Sequence, residues 1–158
     1  MGNSAGTAEF GYWDRVIIMK IYFSGALRAS TQGWDTYGQL IMHLKKYGKV
    51  LTSHFHHGAF SIGKKQEMSD EEIFELYIKL LKEADFVIQE VSTPSIGVGY
   101  ETAKALELGK PVFCLYRSDT EKKLSTLISG NKAITLKSYN TLEEAFREID
   151  VFIQKNKR

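Results

Sequence analysis

A nearly unbroken apolar, β-prone run over 15–23, closed by Ser24 and Gly25, has the pattern of a strand covered on both faces. It predicts the first, central strand. Tyr37, Leu40, Ile41, Leu44 and Tyr47 then recur at helical spacing, Lys45 and Lys46 lie near the end, and Gly48 supplies the stop. A short second strand over 49–53 follows. The stretch 54–67 has no periodicity and holds two glycines, which predicts a long loop of the kind that covers a site.

Ser69 ahead of Asp70, Glu71 and Glu72 is suited to a helix start, and Ile73, Tyr77, Leu80, Leu81 and Ala84 mark that helix's apolar stripe. The third strand is predicted over 86–90, a turn-rich loop over 92–99, and a helix over 100–108 closed by Gly109 with Pro111 beyond. A fourth strand over 112–116, a short helix near 122–128, a strand near 133–136 and a helix carrying Leu142, Ala145, Phe146, Ile149 and Ile153 complete the chain. Strands alternating with helices imply one α/β domain, a Rossmann-like (flavodoxin-like) three-layer sandwich with a five-stranded parallel sheet over 16–158. The small, polar residues of 1–15 are expected to form a flexible leader.

In such a sheet, ligands bind beyond the carboxyl ends of the strands, which directs attention to the loops after the first and third strands. The first holds Tyr22, Gly25, Leu27 and Arg28; the second holds Ser95, Gly97, Gly99 and, in the helix it opens, Glu101. Glycines and a serine before a helix N-terminus let backbone N–H groups approach an anion, a phosphate being the natural guest. Tight turns use the same residues, so the glycine spacing alone is weak evidence. Glu101 has two readings: a carboxylate facing the same cavity as the phosphate loop, or a first-turn acid that complements the helix dipole.

Composition narrows the classes. The charge of +2, from 21 basic and 19 acidic residues, leaves no footprint for a polyanion, so no nucleic-acid partner is expected. No apolar stretch approaches the roughly 18 residues of a membrane span, so no membrane partner is expected. Gly6 stands where a myristoylation signal wants Ser or Thr. Cys114, the one cysteine, lies in an apolar run and fits a buried thiol in a reducing compartment. His54, His56 and His57 have no Cys, Asp or Glu partner at a recognisable ligand spacing, so neither metal nor cofactor is expected. They line a base pocket or face solvent. Trp34 and Tyr37 either stack on a base or serve packing.

These motifs together resemble the 2'-deoxynucleoside 5'-phosphate N-hydrolases of the nucleoside 2-deoxyribosyltransferase superfamily. The matching segments are 21–28, 47–52 with His54, Ala84 with Asp85, Glu90 with Val91, 94–101 and 114–117, in order over about two thirds of the chain. The resemblance implies a nucleoside 5'-monophosphate substrate and Glu101 as a nucleophile on C1' of the deoxyribose. A covalent glycosyl-enzyme would form, which water then hydrolyses to free base and deoxyribose 5-phosphate. It implies that Tyr22 orients Glu101. It also implies that Ser95, Gly97 and Gly99, helped by Gly25, Leu27 and Arg28, hold the phosphate. A homodimer in which Ser125 reaches the neighbouring site, and a cytoplasmic and also nuclear location, are implied likewise.

The chain departs from this pattern where members carry an aspartate on the second helix that assists departure of the base: Tyr77 stands there. Either Tyr77 donates a hydrogen bond to the base, or Asp70 or Glu75 approaches from another turn, or Tyr77 is core and the enzyme is weakened. A sugar transferase and a nucleotide-binding protein without turnover therefore stay open beside the hydrolase.

Overall fold

Short crossover helices between strands leave the strands of one sheet no choice but to run parallel, and they do so throughout the computed structural model, which describes residues 18–26, 34–53 and 68–157. The elements are β1 (Met19–Gly25), α1 (Trp34–Leu44), β2 (Gly48–Val50), α2 (Asp70–Glu83), β3 (Phe86–Glu90), α3 (Ile96–Glu107), β4 (Val112–Arg117), α4 (Thr126–Ser129), β5 (Ile134–Tyr139) and α5 (Leu142–Asn156). The sheet order is β2-β1-β3-β4-β5, with every pairing parallel. The middle strand is β3, not β1 as the sequence pattern suggested. The order reverses between β1 and β3, the switch point at which such sheets bind ligands.

Alternation along the strands divides the core in two. Ile21 and Phe23, with Phe86, Ile88, Phe113 and Leu115, pack under α1 and α5; Tyr22, Val87, Val112 and Cys114 pack under α2 and α3. This is the expected three-layer sandwich. Cys114 is buried with a free thiol, and burial pushes its pKa up to about 12.

Helix ends follow local chemistry. Ser69 and Glu72 form a capping box on α2, as do Thr141 and Glu144 on α5. Lys110 Nζ donates to the backbone oxygens of Lys82 and Ala84 at 2.8 and 2.6 Å, closing the C-terminus of α2. Asp85 bonds β1 twice at Lys20, its N–H to the Lys20 oxygen at 2.8 Å and its carboxylate to the Lys20 N–H at 2.7 Å. Thr52 likewise replaces a strand partner beyond β2, its Oγ1 donating to the Phe23 oxygen at 2.7 Å and accepting from the Phe23 N–H at 3.1 Å.

Several boundaries differ from the sequence pattern. Gly48 is not a helix stop but the first residue of β2, where a Cβ would lie 2.1 Å from the Met19 backbone oxygen; glycine is required by close approach of β1. Helix α3 begins at Ile96 rather than residue 100, because the Ser95 side chain caps it by accepting from the Val98 N–H. The fifth strand runs to Tyr139, past Leu136, and α4 is one turn only. No helix among the described residues is long and apolar enough to cross a membrane. The leader 1–15, the loop 54–67 with its three histidines, Leu27, Arg28 and the side chain of Trp34 lie outside the described residues.

Candidate active site

The early start of α3 decides between the two readings of Glu101. It is the sixth residue of the helix, beyond the first turn, where no acidic residue stands. Val98, Thr102 and Ala105 form the buried stripe of α3, and Glu101 lies three residues after Val98 on the same side. Its carboxylate is thereby carried under the helix, against the end of β1. The dipole reading is excluded by this placement.

Successive residues of β1 point to opposite faces, so Tyr22 and Ser24 reach the face under α2 and α3 while Phe23 and Gly25 face α1. Burial raises the Glu101 pKa to about 7, opposed by the hydroxyls of Ser24 and Tyr22, which favour the ionised carboxylate. The Tyr22 hydroxyl approaches without full hydrogen-bond geometry. It and Glu101 Oε2 are both buried with no hydrogen-bond partner among the described residues. Contacts of this kind commonly tighten only when substrate is in place. Burial first, then the charges of Glu101 and Tyr77, push the Tyr22 hydroxyl far above its ordinary pKa, so it stays a neutral donor.

Tyr77 on α2 meets Tyr22 edge to face, ring centroids 6.5 Å apart at 63°. The structure thus brings Tyr22, Tyr77 and Glu101 together. Asp70 and Glu75 are exposed on α2, and neither is among the groups that act on Glu101 or Tyr22.

At the N-terminus of α3, Val98 N–H is taken by Ser95, while helix geometry leaves the N–H groups of Ile96 and Gly97 without intrahelical acceptors. A Cβ on Gly97 would find only Ser95 Oγ, at 3.9 Å, and one on Gly99 nothing within 4 Å. The fold does not require either glycine, yet each weakens the helix. Ser95, Gly99 and Ser125 line one cavity of about 600 Å³ between α3 and α4, largely apolar, which Glu101 does not line. Gly25 is different: a Cβ there would meet the Tyr37 ring at 2.9 Å. Tyr37 is buried against Gly25 and against Phe23, with ring centroids 6.1 Å apart, so its role is packing and not base stacking.

Sequence reasoning gave no role to the buried polar residues gathered at the same sheet end. Gln89 lies fully buried between Ser24 and Thr102, its Nε2 donating to Ser24 Oγ at 2.9 Å and its Oε1 accepting from Thr102 Oγ1 at 2.7 Å. Glu90, only 3% exposed, points to the opposite face, where the Ser92 hydroxyl and backbone N–H and the Tyr139 hydroxyl donate to it. Burial pushes its pKa up, against those donors. The one available signal was the appearance of two polar residues at the end of an otherwise apolar strand. No group of three or more metal-ligating side chains occurs among the described residues.

The sequence model of the nucleoside 2-deoxyribosyltransferase family matches residues 21–145, from β1 into α5. The chain is 38% identical over 111 residues to the 5-hydroxymethyl-dUMP N-hydrolase of Rattus norvegicus, covering 70% of this chain and 68% of that one. It is 35% identical over 115 residues to the enzyme of the same name from Danio rerio, covering 73% and 80%. The chain belongs to the 2'-deoxynucleoside 5'-phosphate N-hydrolases of the nucleoside 2-deoxyribosyltransferase family. Its fold is that of the Clostridium botulinum CMP N-glycosidase BcmB, with a TM-score of 0.60 at 19% identity over 84% of this chain and 98% of that one. As a member of these N-hydrolases the chain is a glycosidase acting on N-glycosyl compounds.

Proposed function

We propose that this N-hydrolase cleaves the N-glycosidic bond of 2'-deoxynucleoside 5'-monophosphates, with Glu101 as nucleophile. What carries the reading is the juxtaposition of a buried carboxylate with a helix N-terminus opened by two glycines that the fold itself does not need. An ionised Glu101 oxygen attacks C1', the bond from C1' to the base nitrogen breaks, and the base leaves with its bonding electrons and takes up a proton. Water then attacks C1', breaks the glycosyl ester, gives up a proton that balances the one taken by the base, and releases deoxyribose 5-phosphate and the Glu101 carboxylate. A 2'-deoxy sugar suits this path, since no 2'-hydroxyl withdraws electrons from the oxocarbenium-like transition state.

Tyr22 orients Glu101 as a neutral donor. Tyr77 stands closest in role to the absent aspartate, as a hydrogen-bond donor to the departing base. The phosphate is held by Ser95, the free N–H groups at the start of α3 and the space left by Gly97 and Gly99, with Gly25, Leu27 and Arg28 from the first loop.

The reading includes a homodimer. Ile96 and Leu127, 95% and 83% exposed, flank the α3 N-terminus and α4, and the Phe74 and Tyr100 rings lie exposed beside each other on α2 and α3. In this reading, pairing the apolar side between two copies puts Ser125 of the partner subunit at the phosphate; within its own subunit Ser125 lines the cavity with Ser95 and Gly99, and its hydroxyl makes no cap hydrogen bond. Light scattering is expected to give a dimer mass for the wild type and a monomer mass for Leu127→Glu.

The experiment is chromatographic assay of a panel of deoxy- and ribonucleoside monophosphates with wild type and Glu101→Ala. Base released by wild type and lost in the variant, with a protein adduct of deoxyribose phosphate mass during turnover, supports the reading. Binding without base release overturns it in favour of a nucleotide-binding protein. A new nucleoside when acceptor base is added marks transfer.

A further inference from the structure

Ser24 and Gln89 are paired residues of β1 and β3, 65 positions apart in sequence and directly opposite in the sheet. Both side chains are buried on the Glu101 face. The amide of Gln89 has a fixed direction. Its Nε2 lies 2.9 Å from Ser24 Oγ and 3.4 Å from the Val98 backbone oxygen, an acceptor that only the NH₂ end can face without repulsion. The Thr102 hydroxyl lies 2.7 Å from both Gln89 Oε1 and the Val98 oxygen, and with Nε2 turned to Val98 its single proton goes to Oε1. Thr102 and Val98 both belong to α3, so the amide is clamped by the helix that carries Glu101.

The consequence falls on one hydrogen atom. A serine hydroxyl has a single proton and two lone pairs. Since Gln89 donates to Ser24 Oγ, that oxygen is used as acceptor on the Gln89 side and its proton is left for another acceptor; the Glu101 carboxylate, whose ionised form the Ser24 hydroxyl favours, is the one at hand.

We propose that Gln89 and Ser24 are a positioning pair: the clamped amide orients the Ser24 hydroxyl so that it donates to Glu101, holding the carboxylate in place and favouring its ionised form. The pair touches Glu101 and not the substrate. It acts in a site otherwise set by burial and by Tyr22 from β1, with Tyr77 of α2 behind Tyr22. The inference deepens the hydrolase reading, because an ionised, immobile carboxylate is what a glycosyl nucleophile requires.

The test is carbon NMR titration of the full chain carrying glutamate labelled at the side-chain carboxyl, with Glu101 assigned by its loss in Glu101→Gln. Removing a donor to the ionised form raises a carboxyl pKa, so Ser24→Ala is expected to move the Glu101 midpoint up by about one pH unit. Gln89→Met, close in volume and apolar, frees the Ser24 hydroxyl to turn away and gives a smaller rise in the same direction. The double variant titrates like Ser24→Ala alone, because Gln89 acts only through Ser24. In activity, the acid limb of kcat/KM moves with the titration, and KM at high pH stays unchanged. A Glu101 midpoint that moves by less than about 0.3 pH unit in Ser24→Ala, or single-variant shifts that add in the double variant, overturns the proposal. The titration needs no turnover. Absence of base release by wild type therefore counts against the hydrolase reading alone, while a static midpoint counts against the pair alone.

Discussion

Tyr22 and Tyr77 meet edge to face at 6.5 Å beside the buried Glu101 carboxylate, although one side chain comes from β1 and the other from α2. The phenol at position 77 thus stands beside the proposed nucleophile, where the family resemblance leads one to expect an aspartate. If it donates to the leaving base, Tyr77→Phe removes one oxygen and leaves the ring packing. We expect kcat to fall on the order of 10²-fold with little change in KM. Steady-state kinetics on the best substrate of the panel checks this; unchanged kcat assigns Tyr77 to packing.

Glu101 yields a stability signature with a defined sign. Its pKa is lifted by burial from 4.5 to about 7, so the folded state holds a proton that the unfolded chain releases. Stability is fully present below pH 4.5 and is lost as pH rises through 7. Ionising this group costs the fold on the order of 3 kcal/mol. Glu101→Gln is therefore expected to match the wild type near pH 4 and exceed it by about that amount at pH 8. Denaturant unfolding at the two pH values measures the difference between variants, in which the contribution of the buried Glu90, raised in the same direction, cancels.

Gly99 separates folding from function. A methyl there meets nothing in the fold, and alanine is the better helix former, so Gly99→Ala should stabilise the chain by about 1 kcal/mol. The same methyl occupies space proposed for the phosphate. Thermal melts should rise while KM for nucleoside monophosphates rises several-fold, the two effects opposing each other in one variant. A melt that rises with KM unchanged removes Gly99 from the phosphate site.

Gly48 gives the opposite outcome. A Cβ 2.1 Å from the Met19 oxygen cannot be accommodated without separating β1 from β2. Gly48→Ala is expected to lose about 3 kcal/mol or more by denaturant unfolding. Because β1 carries Tyr22 and Ser24, base release should fall with it.

Much of this protein was legible in its residues. Nearly unbroken apolar, β-prone runs and stripes at helical spacing gave the alternating elements, β3 at 86–90 to the residue, and the two-sided parallel sheet, because the hydrophobic pattern reports burial directly. Ser69 with Glu72 marked a helix start by a bond that spans three residues. Glu101 stood out because its neighbours did.

The rest was decided by contacts between distant segments. Glycine and proline disfavour helix locally, so 94–99 read as a loop until Ser95 capped α3 and moved Glu101 out of the first turn. Gly48 read as a helix stop because its true constraint, the Met19 carbonyl, belongs to another strand. Tyr37 read equally as a base platform or as packing until β1 packed over it. The link from Gln89 to Ser24 spans 65 residues and exists only because the register of β1 on β3 sets those two positions side by side. Local sequence fixes what a segment prefers over a few residues; which polar groups share a buried space depends on how the strands are ordered and aligned, and that is settled by the fold as a whole.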